Sequence, residues 1–141
     1  MKPLAVKSPE QFIADFFTTF TEAVVRGAEE PVDVMSRYYT RDVVQYADGV
    51  RLDWDRLLAH LRPVRRNLTE FRFEVQEALA DGRRIAARFT IHARMRKTGP
   101  VATQVHLFAE FTEDGLLRRS EQLTRTLSTA ELPSAAIDAQ D

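Results

Sequence analysis

The chain has 141 residues, a formal net charge of −1 and a pI of about 6.3, with 44% hydrophobic and 29% charged residues. That balance excludes a wholly disordered chain and suits a single globular domain. The absence of cysteine excludes disulfide frameworks, cysteine nucleophiles and thiolate metal sites. The near-neutral charge argues against an extended nucleic-acid surface.

No apolar run approaches the roughly 20 residues needed to span a membrane. The opening MKPLAVKSPEQF lacks the apolar stretch of a secretion signal. A cytoplasmic location is therefore expected, without membrane or nucleic-acid partners. Residues 1–127 are expected to form one domain. Residues 128–141, rich in Ala, Ser, Asp and Pro, read as a flexible tail.

In chain order, the first half reads as helical. Ser8, Pro9 and Gln11 supply a capping hydroxyl, a proline at the first helical position and a capping-box partner. Phe12, Ile13, Phe16, Phe17, Phe20, Ala23 and Val24 then recur at helical spacing, and Gly27 is a natural stop. A second, short helix is expected from Pro31, carrying Val32, Met35 and Tyr38 or Tyr39. Val43 to Tyr46 reads as a short strand closed by Ala47-Asp48-Gly49. Asp53 can cap a third helix containing Trp54, Leu57, Leu58, Leu61 and Val64, with a kink or an end near Pro63.

The second half reads as four long strands, about 68–80, 83–97, 101–113 and 116–127, divided by Asp81-Gly82, Thr98-Gly99-Pro100 and Asp114-Gly115. Short links imply an antiparallel meander, and long strands imply strong curvature with bulges. Helices followed by strands indicate an α+β domain with helices on one sheet face.

Alternation puts Ile85, Ala87, Phe89, Ile91, Ala93 and Met95 on one face, opposite Arg88, Thr90, His92 and Arg94. It groups Thr103, Val105, Leu107, Ala109 and Phe111 against Gln104, His106, Phe108 and Glu110. It also places Glu77 with Phe71, Phe73 and Val75, and Glu121 with Leu117, Arg119 and Leu123. An inward carboxylate is costly unless paired, solvated or protonated. Both acids therefore either mark a polar pocket or are turned to solvent by a bulge. Arg119 could neutralise Glu121. Of the three histidines, His60 flanks the apolar stripe of its helix and can reach a cavity rim. His92 belongs to the polar sheet face, and His106 is open in direction. No HxH or HExxH spacing points to a metal, and no glycine-rich phosphate loop or GxSxG elbow is present.

The run Tyr38-Tyr39-Thr40-Arg41-Asp42-Val43-Val44-Gln45-Tyr46-Ala47-Asp48-Gly49 resembles a stretch of the nuclear transport factor 2-like superfamily, in its SnoaL-like (polyketide cyclase-like) branch. Leu52-Asp53-Trp54, Leu58-Ala59-His60-Leu61, Val105-His106-Leu107-Phe108 and Glu121-Gln122-Leu123-Thr124-Arg125 extend that resemblance over about residues 8–127. It implies a cone-shaped NTF2-like fold, with three N-terminal helices packed on a strongly curved antiparallel sheet around a hydrophobic pocket. It further implies a homodimer through the outer sheet face, here the Arg88, Thr90, His92 and Arg94 side. The first helix offers only Phe where ketosteroid isomerase-like members carry a Tyr.

Two functions follow as expectations. One is a small-molecule enzyme performing cofactor-free acid/base chemistry of isomerase, cyclase or dehydratase type on an apolar carbonyl compound. Glu121 would be the general acid/base, and Tyr46 and His60 would donate hydrogen bonds to the developing oxyanion. Asp48, Glu77, Arg119, Phe16, Phe20, Trp54, Phe89 and Leu107 would surround the substrate, with no metal and no cofactor. The other is a non-catalytic dimeric pocket protein that binds an apolar ligand or a protein partner.

Overall fold

The computed structural model describes residues 7–128; the expected tail beyond Ser128 lies outside them. Helix α1 spans Pro9–Arg26. The Ser8 hydroxyl accepts a hydrogen bond from the Gln11 amide at 3.1 Å, as the sequence signature requires. Phe12, Ile13, Phe16, Phe20 and Val24 are the buried face. The helix stops at Gly27, where a Cβ would sit 2.4 Å from the Ala23 carbonyl oxygen. Arg65 completes that end: its guanidinium donates to the Val24 carbonyl at 2.5 Å and to the Glu29 carbonyl at 2.6 Å. The first of these is among the carbonyls that a helix end leaves without an intrahelical donor.

Helix α2, Pro31–Ser36, is shorter than expected. Tyr39 belongs instead to strand β1, Tyr39–Ala47, which is longer than the expected Val43–Tyr46. Asp48 and Gly49 both take positive φ (51° and 84°), making a tight hairpin turn into strand β2, Val50–Leu52. Three residues are too few to show a period, so β2 had no signature. Helix α3, Trp54–Asn67, starts on an Asp53 cap that accepts from the Arg56 amide at 3.1 Å. It continues through Pro63 for one further turn. Packing of Leu61 and Val64 against the core carries it past the lost backbone donor.

Strands β3 (Leu68–Asp81), β4 (Arg84–Met95), β5 (Gly99–Phe111) and β6 (Leu117–Thr126) form the meander. The sheet order is β2-β1-β6-β5-β4-β3. All pairs are antiparallel except β1 with β6, which run parallel. The four-strand antiparallel meander is present as expected, and β1 adds one parallel pair to it. The hairpin and α3 lie between β1 and the meander, so β1 reaches the last strand through a crossover rather than a turn.

The helices cover one face of this curved, unclosed sheet. Phe17 stacks on Phe73 and Phe89. Phe16 meets the rings of Phe12, Phe17, Tyr38, Tyr39 and Phe111, at centroid distances between 5.2 and 6.2 Å. Such offset and edge contacts add roughly 0.5–1.5 kcal/mol each beyond area burial. Trp54 is buried at the start of α3, with the Arg41 guanidinium 4.5 Å from its ring centre.

Of the register shifts in the sheet, two decide how the acids of β3 and β6 face. In the β3–β4 pair, Val75 faces Phe89 and Glu77 faces Arg88, so Gln76 is an extra residue. In the β5–β6 pair, Phe111 faces Leu117 and Glu110 faces Arg119, so Arg118 is extra. Each bulge flips the parity of the rest of its strand. On β3 the buried position passes to Ala78, and on β6 to Ser120.

Candidate functional site

Between α1, α3 and the inner sheet face lies a cavity of about 770 Å³, partly open to solvent. Its walls differ in character. Phe17 and Phe20 of α1, Phe71 and Phe73 of β3, Phe89 and Ile91 of β4, and Val105 and Leu107 of β5 make an apolar side. Ser120, Gln122 and Thr124 of β6, with Gln45 of β1, make a polar side. Register places these together: Gln45 is opposite Ser120, while Ser120 faces Ala109, Gln122 faces Leu107 and Thr124 faces Val105. Apolar and hydrogen-bonding surfaces therefore meet at the β5–β6 seam.

Among the described residues, no aspartate or glutamate is part of the lining. Arg56 and His60, one turn apart on α3, are exposed overall yet line the cavity, which puts them at its rim. Arg56 donates to the Arg51 carbonyl at 3.1 Å. Tyr39 is the buried titratable group of the cavity, and burial pushes its phenol well above the usual range. Its hydroxyl is held neutral as a donor. Ser120 is 2% exposed, and its buried hydroxyl has no hydrogen-bond partner among the described residues. Leaving a buried hydroxyl unpaired costs about 1–3 kcal/mol, so such a group calls for an explanation.

Of the residues expected at the site, His60, Phe20, Phe89 and Leu107 do line the cavity. Phe16 and Trp54 are buried core instead. The two acids do not face inward. Glu77 is exposed and within 3.5 Å of Arg88 on the outer face, carried there by the bulge at Gln76. Glu121 and Arg119 are exposed and absent from the lining, displaced by the bulge at Arg118. Tyr46 is exposed too, on the side opposite Gln45. Asp48 lies outside the lining and is a structural tie. Its carboxylate accepts from the Thr124 amide at 2.8 Å and from the Thr124 hydroxyl at 2.6 Å, which lowers its pKa.

His92 lies on the outer face, 2.8 Å from Glu74, and His106 is exposed there opposite Arg88. Among the described residues, no group of His, Asp and Glu is arranged to hold a metal ion.

Sequence reasoning missed Tyr39, Ser120, Gln122 and Gln45. The signal for the β6 pair was present: Ser120, Gln122 and Thr124 alternate with Arg119, Glu121 and Leu123. Burying neutral polar groups costs less than burying charged ones.

The family model of the SnoaL-like domain matches residues 13–120. The chain belongs to the SnoaL-like family. Solved structures share the fold of this SnoaL-like domain at low identity. One is a SnoaL-like polyketide cyclase from Agrobacterium tumefaciens, 17% identical, covering 89% of this chain and 94% of its own, with a TM-score of 0.55. Another is a conserved protein from Planctomyces limnophilus, 18% identical, covering 84% and 97%, with a TM-score of 0.59. A third is a protein of ketosteroid isomerase-like fold from Catenulispora acidiphila, in complex with trimethylamine, 8% identical, covering 77% and 83%, with a TM-score of 0.55. At these identities the likeness concerns the fold alone. No curated protein matches the SnoaL-like chain at a significant level. No helix among the described residues is long and apolar enough to cross a membrane.

Proposed function

We propose that this SnoaL-like domain is a small-molecule pocket protein whose ligand has an apolar body and few oxygen atoms. The observation that carries this reading is a cavity of about 770 Å³ with one apolar and one neutral polar wall. That size is within the usual range for ligand sites, roughly 300–1,000 Å³. With Glu121 exposed and no carboxylate among the described residues of the lining, the first expected mechanism, proton transfer by Glu121, loses its geometric basis.

A second reading keeps chemistry at the site. His60 lines the rim and Tyr39 offers a neutral phenol inside. Together they would serve proton transfer on a bound carbonyl compound, His60 as base and Tyr39 as donor to the oxyanion. On this reading His60→Gln abolishes turnover and leaves ligand affinity unchanged.

The outer sheet face supplies a surface for a second copy. Leu79, Ala86, Phe108, Glu121 and Tyr46 form one cross-strand row, and Leu123 lies in the next. Leu79, Phe108 and Leu123 are 67%, 69% and 63% exposed. Aromatic and aliphatic groups so exposed in one patch suit an isologous dimer contact. The proposed location is the cytoplasm, in keeping with a cysteine-free sequence.

The test of the binding reading is fluorescence titration with propionyl-dimethylaminonaphthalene, an apolar ketone whose emission reports its surroundings. Saturable uptake is expected, and Ile91→Trp, which fills the cavity, abolishes it. Equal binding by wild type and the filled variant would place the probe elsewhere.

A further inference from the structure

Ser120 is almost wholly buried, lines the cavity and has no hydrogen-bond partner for its hydroxyl. Its neighbours in register are Gln45 on β1 and Ala109 on β5. Gln45 and, two residues along β6, Gln122 also line the cavity, and neither side chain hydrogen-bonds another described residue. Thr124 differs, since its hydroxyl is spent on Asp48. Three neutral groups able both to donate and to accept are thus gathered on one wall. The fold supplies no partner to Ser120, although buried polar atoms nearly always have one.

We infer that Ser120, flanked by Gln45 and Gln122, is the subsite that receives a neutral carbonyl or hydroxyl oxygen of the ligand. The inference rests on the cavity being a ligand site, as proposed above. The neutrality of the group follows from its surroundings. The cross-strand neighbours of Ser120 are an amide and an alanine, and its charged chain neighbours Arg119 and Glu121 are exposed and outside the lining. A buried carboxylate or ammonium there would stay uncompensated. The lining cation Arg56 and the titratable His60 sit on α3, not on the sheet. Orientation follows as well. Leu107 and Val105 lie beside Gln122 and Thr124 across the β5–β6 seam. The ligand's apolar body packs on β5 and β4 while its oxygen-bearing edge points to β6.

The position of Ser120 depends on the bulge at Arg118, which turns even-numbered residues of β6 inward. Without it, Arg119 and Glu121 would face the cavity. The bulge therefore sets the charge of this wall.

The experiment compares two probes on wild type and on Ser120→Ala. One is propionyl-dimethylaminonaphthalene; the other is its matched alkene, with a methylene in place of the carbonyl oxygen. The substitution should weaken the ketone about three- to tenfold, the effect of one lost hydrogen bond, and leave the alkene unchanged or slightly tighter. The ligand-free variant should melt at or above the wild-type temperature, because an unpaired buried hydroxyl has been removed. Equal ketone affinity in both proteins overturns the subsite while leaving the pocket standing. A lower melting temperature together with unchanged ketone affinity also overturns it, and assigns Ser120 to a structural water. Failure of both probes to bind wild type overturns the pocket reading itself, and the subsite with it.

Discussion

Tyr46 and Glu121 stand opposite each other in the parallel β1–β6 pair, and both point away from the cavity. The two side chains that sequence pattern suggested as catalytic partners are neighbours after all, on the outer sheet face. Their chemistry is therefore separated from the cavity by the thickness of a strand. Glu121→Gln is expected to leave probe affinity within about twofold of wild type, as for a residue outside a binding contact. Fluorescence titration checks this; a loss of binding with the fold intact would return Glu121 to the site.

The same outer row predicts self-association. Leu123 is an exposed apolar side chain in the row next to Phe108 and Leu79, so an acid in its place removes apolar surface from the patch and adds a second carboxylate beside Glu121. Leu123→Asp should weaken the dimer by at least about 30-fold, the scale of a hot-spot loss. Sedimentation velocity across a concentration series measures it. A wild-type chain that stays monomeric at the highest concentration contradicts the dimer.

Asp48 links pH to stability. Its carboxylate holds both the amide and the hydroxyl of Thr124, and these hydrogen bonds depress its pKa. A depressed folded-state pKa contributes stability that is present above the unfolded value, about 3.9 for Asp, and is lost as pH falls through the folded value. Asp48→Asn keeps a residue that tolerates the turn's φ of 51° and removes the charge. It should melt below wild type near neutral pH, and the gap should close in acid below about pH 4. Parallel melts across pH check this; a gap that persists in acid would assign the loss to turn geometry.

Arg65 ties α3 to the end of α1 through two carbonyls. Hydrogen bonds from a charged donor contribute about 1.5–3 kcal/mol, and their loss strands the Val24 carbonyl. Arg65→Ala should cost about that much in chemical denaturation, and Arg65→Lys less, since one ammonium replaces a forked donor. An Arg65→Ala variant as stable as wild type would show that water substitutes fully.

What could be read without coordinates follows from which signals are local. Ser8, Pro9 and Gln11 announce α1, and the phenylalanine spacing announces its buried face, because a helix repeats its environment every 3.6 residues. Asp53 and the glycine turns were equally legible. The inner faces of β4 and β5 were right because neither strand carries an internal shift within its β4–β5 pairing. The bulges at Gln76 and Arg118 have no comparable signature. Each adds one residue and reverses every facing after it, which is why the sequence left the direction of Glu77 and Glu121 open and why both, with Arg119, lie on the outer face. The parallel pairing of β1 with β6 joins segments more than 70 residues apart, beyond the reach of any local pattern. Gln45 and Ser120 could not be brought together without it.

The most direct measurement is a crystal structure of the protein with the naphthyl ketone bound. The ketone is expected inside the cavity, its rings against Phe89 and Leu107 and its oxygen within hydrogen-bond distance of the Ser120 hydroxyl. A cavity closed by the chain's own side chains, or a ketone seated only on the outer sheet face, would contradict it.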